Sequence, residues 1–100
     1  MPNKMRPIHP GEILKEELAE LGMSANAFAQ ALSVPANRIT SIFNGQRSIT
    51  ADTALRLARY FGTTPEFWMN LQTAYDVKIA KVPSWREIEQ NVKPAVKTAA

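Results

Sequence analysis

The sequence predicts an all-α fold. Apolar residues recur three and four positions apart along five successive stretches, the spacing that lines up one face of a helix. Residues suited to helix starts, such as Ser24, Thr50 and Thr64, precede several of these stretches, and Gly22, Gly45 and Gly62 follow them. No segment alternates apolar and polar residues with the two-residue period of a half-buried strand. One hundred residues, 45% hydrophobic and without cysteine, fit a single domain that buries a core without disulfides or a zinc–thiolate centre.

The first helix is expected over about Pro10–Leu21. Pro10 suits the first helical position, and Glu12 lies where a carboxylate reaches back to free amides. Ile13, Leu14, Leu18 and Leu21 then share one side, with Glu16, Glu17 and Glu20 largely on the other, and Gly22 ends the helix. Ser24 caps a second helix, Ala25 to Leu32, which carries Phe28, Ala29 and Leu32 on one side. After Ser33-Val34, a third helix is expected over about Pro35–Asn44, with Ile39, Ile42 and Phe43 inward. Asn44-Gly45 ends it; that pair also favours hairpins, but its flanks here have helical period. Thr50 opens a fourth helix with Asp52 in its first turn, where the helix dipole favours an anion. Its buried stripe is Ala54, Leu57, Ala58 and Phe61, and Gly62 closes it. Thr64-Pro65-Glu66 starts a fifth helix, expected to reach about Ala80, with Phe67, Trp68, Leu71 and Tyr75 as its large apolar residues. Ser84-Trp85-Arg86-Glu87 reads as a capping box for a short additional C-terminal helix. The organisation expected is a tail over 1–7, a domain over 8–81 and a partly helical or frayed tail over 82–100.

The second and third helices span Ala25 to Asn44, the size of a helix-turn-helix. Ala29 is small enough for a close helix crossing, and Val34 and Ile39 are placed to set the angle between the helices. Ser33 occupies the turn position that favours glycine. A compact helical hairpin with no DNA role has the same spacing, so the outward face must discriminate. On the third helix that face is Ala36, Asn37, Arg38, Thr40 and Ser41, small or hydrogen-bonding residues with no acid among them. Asparagine can bond adenine with two hydrogen bonds, arginine can bond guanine, and alanine or threonine can touch a thymine methyl. These five are the candidate base contacts. Gln30, Asn44, Gln46, Arg47 and Ser48 are the candidate phosphate contacts, which position a protein without reading sequence. The competing reading for Arg47 is pairing with a neighbouring acid.

Charge agrees with a double-stranded DNA partner. The net charge of +3 is mild, but between Gln30 and Gly62 Arg38, Arg47, Arg56 and Arg59 stand against Asp52 alone. Arginine suits phosphate because its planar fork donates two hydrogen bonds at once. A merely solvated face is the competing reading. Lys93 and Lys97 read as solubilising charge in the tail. Trp68, Leu71 and Tyr75 form a heavy apolar load on the last long helix and are the candidate dimer surface, since exposed apolar patches tend to mark interfaces. Ordinary core is the competing reading, most strongly for Phe67 and Leu71.

Other functions are disfavoured. His9 is the single histidine and is expected as a helix-start residue; without cysteine or clustered acids no metal site is expected. Glu16 and Glu17 diverge on their helix, Glu12 and Glu16 lack a nucleophile beside them, and the four glycines build no phosphate loop. Neither catalysis nor a cofactor is expected. No apolar run approaches the roughly 20 residues that span a bilayer, and Met1 to Pro10 lacks the apolar centre of a secretory leader. The expected compartment is the cytoplasm.

Three stretches carry a resemblance. They are His9-Pro10-Gly11-Glu12-Ile13-Leu14, Ile49-Thr50-Ala51-Asp52-Thr53-Ala54-Leu55-Arg56-Leu57-Ala58, and Phe61-Gly62-Thr63-Thr64-Pro65-Glu66-Phe67-Trp68-Met69-Asn70-Leu71-Gln72. With these the chain resembles, over about Ile8 to Lys81, the HigA-type (VapI-like) antitoxins within the Xre/Cro/C1 repressors. The signature around Phe67-Trp68 and Asn70-Leu71-Gln72 is the specific part. The resemblance implies a five-helix, lambda-repressor-like helix-turn-helix domain and a homodimer on an operator. It also implies a HigB-like mRNA-cleaving toxin as partner and repression of the pair's own promoter. A stand-alone repressor without a toxin, a purely protein-binding inhibitor and, remotely, a helical enzyme are the alternatives.

Overall fold

The computed structural model describes residues 6–96. Lys97 and the first five residues of the expected N-terminal tail lie outside the described residues. Five helices follow one another: α1 (Pro10–Leu21), α2 (Ala25–Leu32), α3 (Ala36–Phe43), α4 (Ala51–Phe61) and α5 (Pro65–Asn91). No strand occurs among the described residues.

Local chemistry explains most of the starts. The Ser24 hydroxyl accepts from the Ala27 amide at 3.1 Å, and the Thr64 hydroxyl from the Phe67 amide at 3.2 Å. Thr50 plays the same part for Thr53. At α1 the cap is the His9 ring, whose Nδ1 accepts from the Gly11 amide at 2.9 Å. α3 differs, because its N-cap is Pro35 and no side chain closes its first turn. The Arg38 amide donates to the Pro35 carbonyl at 3.0 Å, while the Ala36 and Asn37 amides ahead of it have no side-chain cap and carry the positive end of the helix dipole.

The core draws on every helix and one loop. Leu14, Leu18, Phe28, Leu32, Ile39, Ile42, Ile49, Leu57 and Trp68 are buried together, with Ala29, Ala54 and Ala58 at the close approaches. Each large side chain contributes roughly 1.5–3 kcal/mol by leaving water. α2 packs on α3 and α4, α1 on α3 and α5, and α4 on α5.

Two sequence expectations change. Helix α5 does not stop near Ala80: it continues through Pro83 to Asn91, and Ser84-Trp85-Arg86-Glu87 lies within it rather than opening a separate helix. Proline ends most helices because it lacks the amide and crowds the carbonyl four residues earlier. Here the turns on either side are exposed, so water can satisfy the freed carbonyl and the helix need not end. Trp68, expected at a dimer surface, is core. It is 3% exposed, its ring lies 5.6 Å from that of Phe61, and its indole N–H donates to the Thr63 hydroxyl at 2.8 Å. Phe67, for which core was the competing reading, is 46% exposed. Adjacent helical residues point about 100° apart, and packing on α4 selects Trp68. Leu71 and Tyr75 are half-buried.

Candidate nucleic-acid interface

The seat of α3 is built from two close contacts. Ala29 of α2 is buried at the α2–α3 crossing. On the other side, Gly11 of α1 lies against the Ile42 carbonyl so closely that a Cβ there would collide with it. His9-Pro10-Gly11 therefore supplies a cap, a helix start and a backbone contact in three successive residues. Between α2 and α3 the chain turns at Ser33, which has φ 59° and ψ 48°. This left-handed conformation favours glycine, and Ser33 is the one described non-glycine residue to adopt a positive φ. The turn's amides are satisfied: Ser33 donates to the Gln30 carbonyl and Val34 to that of Ala29.

With Ile39 and Ile42 buried, the opposite side of α3 faces solvent. Ala36, Asn37 and Thr40 are exposed there, and Arg38 and Ser41 are half-buried at its edges. The candidate phosphate residues Gln30, Asn44, Gln46, Arg47 and Ser48 are all exposed. Four of them share the loop that follows α3, and this loop is held from both ends. The amides of Gln46 and Arg47 both donate to the Ser41 carbonyl, at 2.9 and 3.2 Å. At the far end the Ile49 amide donates to Gln72 Oε1 at 2.7 Å, and Gln72 Nε2 donates to Asp76 at 2.9 Å. Ile49 and Gln72 are 1% and 3% exposed, so without Gln72 the Ile49 amide would be left without a partner in the interior.

His9 completes the underside of the loop. Its ring sits edge-on to Tyr75, with centroids 4.9 Å apart, and lies beneath Gly45. Burial pushes its imidazole below the usual histidine range, against the opposing pull of Asp76, Glu12 and the Arg47 backbone.

The arginines divide into two kinds. No acid among the described residues bridges Arg47, so it is available to an anionic partner. Arg38 instead donates through Nη1 to Asp52 Oδ2 at 2.8 Å, and Arg56 donates through Nε to the same oxygen at 2.9 Å. Arg56 also donates through Nη1 to the carbonyls of Leu32 and Ser33, at 2.9 and 3.2 Å. Beside Arg56 and then Arg38, the Asp52 carboxyl is held below the usual carboxylate range. The sequence did not reveal this clamp or the role of Gln72; His9 stands at the helix start where it was expected, but its second place, under the loop, was not foreseen. The spacing of Asp52 and Arg56 is a visible signal for a pair on one helix, but its reach to the turn and to Arg38 is not.

Among the described residues no group of three or more histidines, cysteines and acids converges as a metal site, and no helix is long and apolar enough to cross a membrane.

A short helix held rigidly on a second one, with an acid-free outer face and a pinned loop rich in donors, defines the helix-turn-helix class of DNA-binding proteins. The helix-turn-helix family matches residues 14–68. Virulence-associated protein I of Dichelobacter nodosus is 59% identical over 80 residues, covering 79% of this chain and 74% of that protein. The structure of an addiction module antidote protein of a HigA family from Coxiella burnetii superposes with a TM-score of 0.89 at 65% identity, covering 91% of this chain and all of that one. The Pseudomonas aeruginosa antitoxin HigA, solved with the higBA promoter, superposes with a TM-score of 0.86 at 47% identity over 91% of this chain and all of that one. The chain belongs to the HigA-type antitoxins of the Xre helix-turn-helix family, a family of DNA-binding regulators and not of enzymes.

Proposed function

We propose that this protein is an operator-binding antitoxin of the cytoplasm. As a homodimer it reads DNA through α3, represses the promoter of its own operon, and binds and blocks a HigB-like mRNA-cleaving toxin encoded beside it. The observation that carries the DNA reading is the surface of α3 and its loop. Asn37 and Thr40 face solvent, as do Gln30 before them in the chain and Asn44, Gln46, Arg47 and Ser48 after them. The base contacts proposed are Ala36, Asn37, Arg38, Thr40 and Ser41, and the phosphate contacts are the flanking five. The promoter complex of the Pseudomonas aeruginosa relative supports the same use of the fold.

Dimerisation follows from what one α3 lacks. A single short helix touches few base pairs, and two copies about 34 Å apart can follow one face of the duplex over successive turns. Linking two weak contacts raises avidity steeply. The outward apolar residues of α5, with Leu71 and Tyr75 at its start, are the surface proposed for it.

Binding to the DNA upstream of the gene, measured against random duplex over a salt series, tests the DNA reading. A strong preference with steep salt dependence is expected. Equal affinity for both duplexes at every salt concentration refutes it. Co-expression with the small open reading frame beside the gene tests the toxin reading. Growth arrest by the neighbour alone, relieved by this protein, is expected; DNA binding without such rescue makes it a stand-alone repressor.

A further inference from the structure

Asp52 is the single acid between Gln30 and Gly62, and it sits on the side of the molecule proposed to face phosphates. Its side chain is 56% exposed. An unneeded carboxylate there repels the duplex, and exposed ion pairs add little to stability. Its geometry is specific. One oxygen, Oδ2, accepts from Arg38 at 2.8 Å and from Arg56 at 2.9 Å. Arg56 is anchored in turn on the Leu32 and Ser33 carbonyls of the helix-turn-helix turn. The side chain of Arg38 is 26% exposed, and its bond to Asp52 gives it an orientation before any DNA arrives. Only its Nη1 is used by Asp52, so Nε and Nη2 keep their hydrogens for a partner.

Building on the DNA reading above, we propose that Asp52 is a positioning residue for sequence discrimination. It orients Arg38 so that the remaining guanidinium donors meet a base edge, guanine by chemistry. Its charge also disfavours phosphate contact when that base is absent. Arg38 alone on α3 would be a long flexible cation, able to fall on any nearby phosphate. Tied to Asp52, it arrives in one orientation and cannot follow the backbone charge freely.

The test is a cycle of variants on two probes, the DNA upstream of the gene and a random duplex of equal length, at one salt concentration. Asp52→Asn is expected to lower the ratio of the two affinities roughly tenfold, the scale of one two-bonded base contact. Upstream DNA should bind more weakly and random DNA more tightly. Asp52→Glu, which keeps the charge and displaces Arg38, should lower the ratio without tightening random DNA. In an Arg38→Met background, Asp52→Asn should leave the ratio unchanged. Two results overturn the proposal: equal tightening of both probes by Asp52→Asn, or the same loss of ratio in the Arg38→Met background. The second would place the effect in Arg56 and the turn. If the wild-type protein shows no preference at all, it is the DNA reading itself that fails.

Discussion

At the scale of single residues, Gly11 and His9 bear the largest burdens for their size. The contact between Gly11 and the Ile42 carbonyl joins two backbones, so no side chain can rotate away to make room. Gly11→Ala is expected to cost about 2–3 kcal/mol, as overpacking does, read as a shift in the urea midpoint with an unchanged slope. A loss below about 0.5 kcal/mol, the range of ordinary surface changes, would mean the two helices can part freely. His9 titrates against the fold, because burial lowers its pKa in the folded state. The unfolded chain then binds the proton more readily, and stability is complete above the ordinary histidine value of about 6.5 and declines as pH falls through it. His9→Asn keeps a side chain able to cap α1 and removes the titration. Its thermal midpoint should be flatter than that of the wild type between about pH 7.5 and 5.5. The contributions of Glu12 and Asp52, whose carboxyls are held low by arginines, are lost only at more acidic pH.

At the scale of elements, the turn before α3 and the end of α5 are the two places where the chain departs from its local preferences. Ser33 adopts a left-handed conformation that costs an L-residue roughly 1–2 kcal/mol. Ser33→Gly should therefore raise stability, by up to about 1 kcal/mol once the greater freedom of the unfolded glycine is subtracted. Pro83 removes one hydrogen bond from the interior of α5. Pro83→Ala should increase amide-exchange protection from Ser84 to Asn91 and leave α3 unaffected. Equal protection on both sides of residue 83 in the wild type would contradict this. The same two elements show what sequence can and cannot convey. Ser24, Thr50 and Thr64 were legible as caps because each bond closes within three residues. The acid-free face of α3 was legible because Ile39 and Ile42 fix its phase. The Arg38–Asp52 bond crosses fourteen positions and the Ile49–Gln72 bond twenty-three, and no local pattern encodes them. Trp68 and Phe67 are interchangeable by composition, and only the packing of α5 on α4 separates them. Pro83 carries a strong local stop signal, which a helix in open solvent can override.

At the scale of the whole molecule, the described residues measure 55 × 28 × 25 Å, a domain with α5 projecting from it. The projecting part shows Val77, Val82, Trp85 and Ile88 to solvent, with Val82 81% exposed. A second copy covering these residues would place two α3 helices in one assembly, as the operator reading requires. Val82→Glu is expected to shift sedimentation towards monomer and to lower affinity for the upstream DNA at least tenfold, the gain that linkage of two sites provides. Its thermal midpoint should change little, because Val82 has no place in the core. A dimer undisturbed by Val82→Glu would move the interface elsewhere. For Asn37 and Arg47 the expected effects differ in kind. Asn37→Ala should weaken specific binding by roughly 1–3 kcal/mol and relax one base position, whereas Arg47→Ala should weaken all sequences alike and reduce the salt slope by about one.

The seat of α3 has a consequence for how such a protein changes over time. What holds the helix is a backbone contact at Gly11, a small residue at Ala29 and two buried isoleucines, none of which faces the groove. The residues proposed to read bases contribute almost nothing to that seat. New residues at Ala36, Asn37 and Thr40 can therefore be exchanged with little penalty to folding. Under the DNA reading proposed above, a lineage would drift from one operator to another by rewriting such outward positions while the scaffold stays still, and duplicated copies in one genome would diverge into separate circuits by the same route.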